Sequence, residues 1–358
     1  MEREKIFSKN VLEKPETKRA SRNAGKIDFS KLRRMGYNEN PYGMPESVFE
    51  AMSLANQKGY NYPDFVCGKL RQALADYYDV TFDSVICGAG SSALITMVGQ
   101  AFLNPEDEVI LCPTFAAFND MIEIARAKTI TVSLTEDKGY DLDGIYNAIT
   151  DKTKMIIICN PNNPTGQYLS YDAIEEFIQK IDKNIVIIMD EAYIELATAE
   201  DCKTTIPLVK KYPDRPIVVM RTFSKYYALA GIRVGYVICN EEVAQGINTI
   251  PGSSVSCGAQ AAALQALKEQ EYYQSTKEKI VAGARYIEEE LRKLGCDVWK
   301  TQTNFILFDP HMDCEEVRTK LIEKGIHIST PMLDRVSIST KENNEYFIQC
   351  MKEILEER

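Results

Sequence analysis

The sequence predicts an α/β protein built on a mostly parallel sheet, followed by a smaller α+β domain. Three observations carry this. Seven short runs rich in Val and Ile alternate with longer amphipathic stretches between residues 84 and 239. Several of these runs are apolar at every position rather than alternating, as strands covered on both faces by helices require. Beyond residue 255 the rhythm gives way to a long stretch rich in Ala, Glu and Lys, then to shorter mixed elements.

A chain of 358 residues is too long for one small core. Its 45% hydrophobic and 26% charged content is that of an ordinary globular protein. The formal net charge of −10 argues against a general nucleic-acid binder, which needs a basic face to replace counterions. None of the ten cysteines forms a CxxC pair, and Cys87, Cys112, Cys159 and Cys239 sit inside apolar runs. They read as small, reduced core residues, which places the protein in a reducing compartment. No signal-peptide core and no run approaching the roughly 20 apolar residues of a membrane helix is present, so a cytoplasmic location is expected. His311 and His327 are the only histidines. A histidine-rich metal site is therefore not expected, and proton chemistry must run on other groups.

Taken in order, residues 1–35 are polar with a basic excess (Lys18, Arg19, Arg22, Lys26, Lys31, Arg33, Arg34) and read as an N-terminal arm. Residues 36–255 form the large domain. Its strand candidates are 84–90, 108–113, 129–134, 155–160, 185–190, 216–221 and 233–239, with helices between them such as 91–103 and 171–182. Residues 256–358 form the small domain. It opens with a long helix near 258–294, then a strand at NFILFDP, a helix near 314–324, strands near 326–329 and at RVSIST, and a final helix.

Ligands of open parallel sheets bind at the carboxyl ends of the strands. Here those ends are rich in reactive groups. The first strand runs into Gly88-Ala89-Gly90-Ser91-Ser92 and opens a helix, whose free N–H groups suit a phosphate. The dinucleotide fingerprint GxGxxG is not met, because Ala93 stands at its third glycine. The fourth strand ends in NPNNPTG (160–166) and the fifth in Asp190-Glu191-Ala192-Tyr193. The sixth ends in Arg221-Thr222-Phe223-Ser224-Lys225, and Arg233 follows in GIRVGY. An ionised Asp at the tip of a buried strand must find a cation or several donors.

NPNNPTG, DEAY, RTFSK and LAGIRVGY, in this order, resemble the fold type I aminotransferases that depend on pyridoxal phosphate. NENPYG at 38–43 and YP at 62–63 are similar to the histidinol-phosphate aminotransferase branch, and the resemblance covers roughly 36–340. It implies the aspartate-aminotransferase-like fold, with a mostly parallel seven-stranded sheet in the large domain. It also implies an amino transfer between an amino acid or amino phosphate (histidinol-phosphate-like or aromatic) and a 2-oxo acid, with a place in amino-acid biosynthesis, histidine biosynthesis included.

By the same resemblance Lys225 forms the Schiff base with pyridoxal 5'-phosphate and moves the proton at the substrate's Cα. Asp190 pairs with the pyridine nitrogen. Tyr193 and Asn163 donate to the phenolate oxygen, and Phe115 stacks on the ring. Gly90, Ser91, Ser92, Thr222, Ser224 and Arg233 hold the phosphate. Tyr62 reaches that phosphate from a second subunit, which implies a homodimer with shared sites. Arg335 grips the substrate's carboxylate or phosphate, helped by Asn38. A DNA-binding regulator on this scaffold needs a helical domain for which residues 1–36 are too short.

The chain departs from the branch in its substrate-facing positions. Ser92-Ala93 stand where an Asp-Glu pair is usual, Ser329 where a second arginine is frequent, and Ser339 where a glycine is expected. IDFS before the Asn-Pro segment, PTF and KYYA are shared with threonine-phosphate decarboxylases, which makes decarboxylation on the same scaffold the alternative reaction.

Overall fold

The computed structural model describes residues 2–7, 12, 28, 31–252 and 254–357. Most of the arm expected over 1–35 lies outside these. In chain order the strands are β1 (Arg33–Arg34), β2 (Val85–Gly88), β3 (Glu108–Leu111), β4 (Lys128–Thr131), β5 (Thr153–Cys159), β6 (Val186–Asp190), β7 (Ile217–Thr222), β8 (Gly235–Ile238), β9 (Asp297–Val298), β10 (Phe305–Asp309), β11 (Ile326–His327) and β12 (Asp334–Ser337). The seven expected strands are β2 to β8, and they make one sheet in the order β2-β8-β7-β6-β5-β3-β4. β3 to β7 pair in parallel, while β8 is antiparallel to both of its neighbours.

The apolar runs behave as the sequence predicts. Every residue of β6 and β7 is buried, and all but one of β5. Successive residues enter two different cores, one on each face, because side chains alternate across a strand. Ile156, Ile158, Ile187, Met189, Ile217 and Val219 belong to one, and Met155, Ile157, Val186, Ile188, Val218 and Met220 to the other. The run expected at 129–134 shortens to β4, whose Lys and Thr residues suit an edge paired only with β3. Helices Ser91–Phe102 and Tyr171–Lys180 provide crossovers. The second is capped by Ser170, which accepts from the Ala173 N–H, and it buries Ile174, Phe177 and Ile178.

The long helix expected near 258–294 is two helices, Cys257–Ala266 and Gln270–Lys293. β9, β10 and β12 form a three-stranded antiparallel sheet. The strand expected at 326–329 is β11, which pairs in parallel with β1. The chain around Met35 is thereby tied to the C-terminal unit: Met35 N donates to His327 O at 2.9 Å, and Ser337 N to Met35 O at 2.7 Å. All ten cysteines are unpaired, seven of them buried. Among the described residues no helix is long and apolar enough to cross a membrane.

Truncating Ile157, fully buried in β5, should destabilise the protein by about 2–5 kcal/mol through lost transfer energy and a residual cavity. Ile130→Ala on the edge strand β4 should do distinctly less. Urea unfolding of both variants checks this, and equal losses would contradict a core centred on β5 to β7.

Candidate active site

A cavity of about 600 Å³ opens at the carboxyl ends of these strands. That volume suits a small cofactor or metabolite. It is bounded by residues following β2, β3, β5, β6 and β7, and by the segment between β11 and β12.

The loop after β2 brings Gly90 into a positive φ of 83° at the N-cap of helix Ser91–Phe102. A side chain there would collide with the Arg233 guanidinium, so glycine lets that cation lie directly on the loop. Ser91 and Ser92, in the first turn of the helix, line the cavity. Arg233 lines it too, with Nη1 donating to Ala230 O at 2.8 Å. Thr222 and Ser224 complete this end, the Thr222 hydroxyl donating to Ser224 Oγ at 2.9 Å. Free N–H groups, hydroxyls and a guanidinium converge as a phosphate requires.

Within NPNNPTG the three asparagines divide their work. Asn160 exchanges hydrogen bonds with the Leu169 backbone at 2.7 and 3.1 Å. Asn162 donates to Pro113 O and Thr165 Oγ1 and accepts from Thr114 and Tyr140. Both pin the loop. Asn163 faces the cavity, donates to Tyr193 Oη at 3.4 Å and accepts from Arg335 Nη1.

Asp190 ends β6 and is 4% exposed. Its Oδ1 accepts from the Ala192 N–H at 3.1 Å. Burial pushes its pKa up to about 6; the Ala192 bond opposes this, and the neighbouring Glu191 charge adds to it. Tyr193 is buried, which holds its phenol well protonated despite the nearby Arg335. Its hydroxyl accepts from Asn38 Nδ2 at 3.0 Å. Lys225 Nζ donates to Tyr37 O at 2.9 Å. Burial lowers its pKa to about 8, and Arg335 and Arg233 push the same way. A neutral amine is thus accessible near neutral pH, as a nucleophilic lysine needs.

Arg335 enters from β12, is 8% exposed and donates through Nη2 to Gly36 O at 3.1 Å. Phe115 lies on the wall after β3, edge-on to Phe118 at 6.5 Å between ring centroids. Of the residues expected from sequence, Asn38, Ser91, Ser92, Phe115, Asn163, Asp190, Tyr193, Thr222, Ser224, Lys225, Arg233 and Arg335 line one cavity. Gly90 stands behind Arg233, and Tyr62 lies outside the wall, 86% exposed. Sequence reasoning missed Tyr37, Thr114, Asn119, Cys159, Pro331 and Met332 as wall residues. Thr114 and Tyr37 adjoin recognised motifs; Asn119 and Met332 carry no local signal. Three cations against one carboxylate make the cavity favourable for anions.

A profile described as aminotransferase class I and II matches residues 30–350. The chain belongs to this family. It is a pyridoxal-phosphate-dependent aminotransferase, a transferase acting on small amino and keto compounds. It is 34% identical to histidinol-phosphate aminotransferase of Bacillus licheniformis over 338 residues, 92% of this chain and 93% of that one. It is 35% identical to the Bacillus subtilis (strain 168) enzyme of the same name, over 91% and 92% of the two chains. Among solved structures it is similar to histidinol-phosphate aminotransferase of Sinorhizobium meliloti in complex with pyridoxal 5'-phosphate (TM-score 0.88, 24% identity, 98% of each chain). The aspartate aminotransferase of Thermotoga maritima gives a TM-score of 0.85 at 23% identity, covering 98% and all of the two chains. These establish the aspartate-aminotransferase-like fold. The decarboxylase alternative draws no support from these relatives.

The residues present fit pyridoxal phosphate. The Gly90 cradle takes a dianion, Asp190 is a buried acceptor for a cationic ring nitrogen, and Lys225 is a nucleophilic amine in the same cavity.

In the cofactor-free protein, ionised Asp190 opposes folding. Its folded pKa lies above the unfolded value, so the penalty is absent below about pH 4, grows through about pH 6 and is complete above it. Asp190→Asn should therefore stabilise the cofactor-free protein at pH 7 by up to about 3 kcal/mol, with no gain near pH 4. Thermal unfolding at the two pH values checks this; a gain independent of pH would contradict it.

Proposed function

We propose that the chain transfers the amino group of an imidazole-bearing amino phosphate of the histidinol-phosphate type to a 2-oxo acid, in the cytoplasm and as a homodimer. The observation that carries the reaction is Lys225 facing Asp190 across one anion-favouring cavity. When bound, pyridoxal phosphate supplies the carbonyl carbon that accepts the amino group and the ring that draws electrons from the substrate's Cα.

The chain's own groups do the rest. Lys225 Nζ would hold the cofactor and would carry the proton at the substrate's Cα; its lowered pKa lets it act as a base. Asp190 would keep a proton on the ring nitrogen. Tyr193, held by Asn38 and Asn163, donates to the ring's phenolic oxygen, with Asn163 as second donor. Phe115 and Ala192 line the cavity, where Phe115 would cover one ring face and the small Ala192 would leave room on the other. Gly90, Ser91, Ser92, Thr222, Ser224 and Arg233 would hold the cofactor phosphate. Arg335 and Asn38 take the substrate's anionic group, and Arg335 Nε has no hydrogen-bond partner among the described residues. Substrate recognition rests on Arg335 and on the likeness to histidinol-phosphate aminotransferases; Ser329, with no charge, leaves one arginine for that anion.

We read 1–35 as an arm, 36–255 as the cofactor domain and 256–358 as the small domain. The segment 60–66 supports a second subunit: Tyr60, Tyr62, Phe65 and Val66 are 60–86% exposed, an apolar cluster a monomer would not display. From such a face Tyr62 reaches the partner's phosphate site.

A panel of donors tests the reading. With 2-oxoglutarate as acceptor, histidinol phosphate should give glutamate and its keto product one for one, with a kcat/KM above that for phenylalanine. The reverse order would move the substrate to aromatic amino acids, and no keto product from any donor would remove the reaction assignment. Arg335→Ala should raise KM by an amount worth about 2–4 kcal/mol of lost charged contact; an unchanged KM would contradict its role. Tyr62→Phe should weaken cofactor affinity in a protein that sediments as a dimer, whereas a monomer at micromolar concentration would contradict the shared site.

A further inference from the structure

Residues 35–38 cross from β1 to the cavity, and hydrogen bonds pin the two ends of this segment. Met35 N donates to His327 O at 2.9 Å and Ser337 N to Met35 O at 2.7 Å. Asn38 N donates to Ser337 Oγ at 2.8 Å, and Asn38 Nδ2 to Tyr193 Oη at 3.0 Å. Gly36 and Tyr37, between them, take part in no backbone-to-backbone hydrogen bond among the described residues. Their carbonyls go instead to two cations of the cavity. Gly36 O accepts from Arg335 Nη2 at 3.1 Å, and Tyr37 O from Lys225 Nζ at 2.9 Å. The flanking carbonyls serve structure: Met35 O takes Ser337 N, and Asn38 O takes Asn304 Nδ2 at 3.0 Å. Strand pairing therefore leaves open where the two middle oxygens point.

Side-chain packing settles it, and one ring touches both residues. His327 ends β11. A Cβ on Gly36 would stand 2.5 Å from Cε1 and Nδ1 of His327, so the imidazole fills the space that any other residue at 36 would need. The same ring stacks on Tyr37, with centroids 4.9 Å apart and planes at 29°. Tyr37 is also flanked by Arg34, whose Cζ lies 5.1 Å from its ring centroid and whose guanidinium is held by Glu39 at 2.7 and 3.0 Å. His327 is itself fixed by its strand, which pairs it with Arg34 of β1. Burial lowers its pKa, and the charges of Arg318 and Arg34 push the same way, so the ring is neutral at neutral pH and stacks with no charge to solvate.

We propose that His327 is a positioning residue: its ring seats Gly36 and Tyr37 so that their consecutive carbonyls hold Arg335 toward the substrate's anionic group and Lys225 Nζ where the proton at Cα is moved. The proposal rests on the reading that Arg335 and Lys225 have those parts. His327 lies outside the cavity wall and acts only through the two carbonyls. They reach the groups that meet the substrate. The phosphate cradle around Gly90 and Arg233 is built on other elements, the loops after β2 and β7. Loss of the ring should therefore impair turnover while cofactor affinity stays near its wild-type value.

The test is a double-variant cycle in the full-length protein. Turnover is read with the best donor of the panel above and 2-oxoglutarate as acceptor, and affinity for pyridoxal phosphate by fluorescence quenching. His327→Ala removes the seat and should raise KM and lower kcat, each by about threefold to tenfold, because small misplacements of reacting groups are costly. Gly36→Ala drives a methyl into the ring and should act in the same direction. In the double variant that methyl enters the space the ring has left, so the loss in kcat/KM should be smaller than in Gly36→Ala alone. An unchanged KM or an unchanged kcat in His327→Ala overturns the proposal. A double variant that loses as much as Gly36→Ala, or more, also overturns it. So does a fall in cofactor affinity as large as the fall in kcat/KM, which marks general damage to the site. If Gly36→Ala does not fold, His327→Ala decides alone by the split between turnover and cofactor affinity. A wild-type protein that turns over no donor removes the underlying reading and the proposal with it; a wild type that turns over while His327→Ala matches it removes the proposal alone.

Discussion

A carboxylate held at the tip of a strand with almost no water around it, Asp190, constrains the rest of this structure. β6 is buried at every position, so its chain end delivers the charge into a dry site. An ionised group there is tolerated only if the surroundings hold it. The Ala192 N–H, Lys225 and the cations of the cavity do so on one side. On the other side Arg221 absorbs the adjacent Glu191. The resulting acid, with a pKa of about 6, sits opposite an amine of about 8. Both shifts come first from burial: that of Lys225 favours the neutral amine its chemistry uses, while that of Asp190 is a cost that a cationic partner in the cavity offsets.

The same constraint explains why the site is assembled where it is. Parallel strands apolar on both faces leave no room for function along their length. Chemistry therefore collects at the carboxyl ends, where NPNNPTG, DEAY and RTFSK stand side by side because β5, β6 and β7 are neighbours. β12 and the segment before it close the cavity from the C-terminal side, and Arg335 on β12 reaches across to Asn163 and Gly36. β1 and the chain to Asn38 are bound to β11 and β12, so the group that touches Tyr193 from the N-terminal side is tied to the strands that carry Arg335.

Much of this was legible from residue order. The Ile- and Val-rich runs of β5 to β7 were readable as doubly covered strands because nothing polar interrupts them. The motif residues were readable because their types are costly to bury without a purpose. What was not legible depends on tertiary packing. The reversed direction of β8 has no local signature: GYVI reads the same whichever way it pairs. The break between Ala266 and Gln270 falls on Leu-Lys-Glu, residues that favour helix, so no Gly or Pro marks it. The left-handed Asn38, with φ of 56°, is set by its bonds to Ser337 and Tyr193 rather than by its neighbours in sequence. Asn119 and Met332 become wall residues only when separate elements meet.

The account turns on Lys225 as the lysine that takes the cofactor, and among the described residues one competitor exists. Lys277 is also part-buried, with its pKa lowered by burial, but its Nζ is spent on Ala197 O at 2.7 Å, away from the cavity. Reducing the loaded enzyme with borohydride and mapping the labelled peptide decides between them. The structure predicts the pyridoxyl group on Lys225 alone. A label on Lys277 or spread over surface lysines would contradict the assignment of the site.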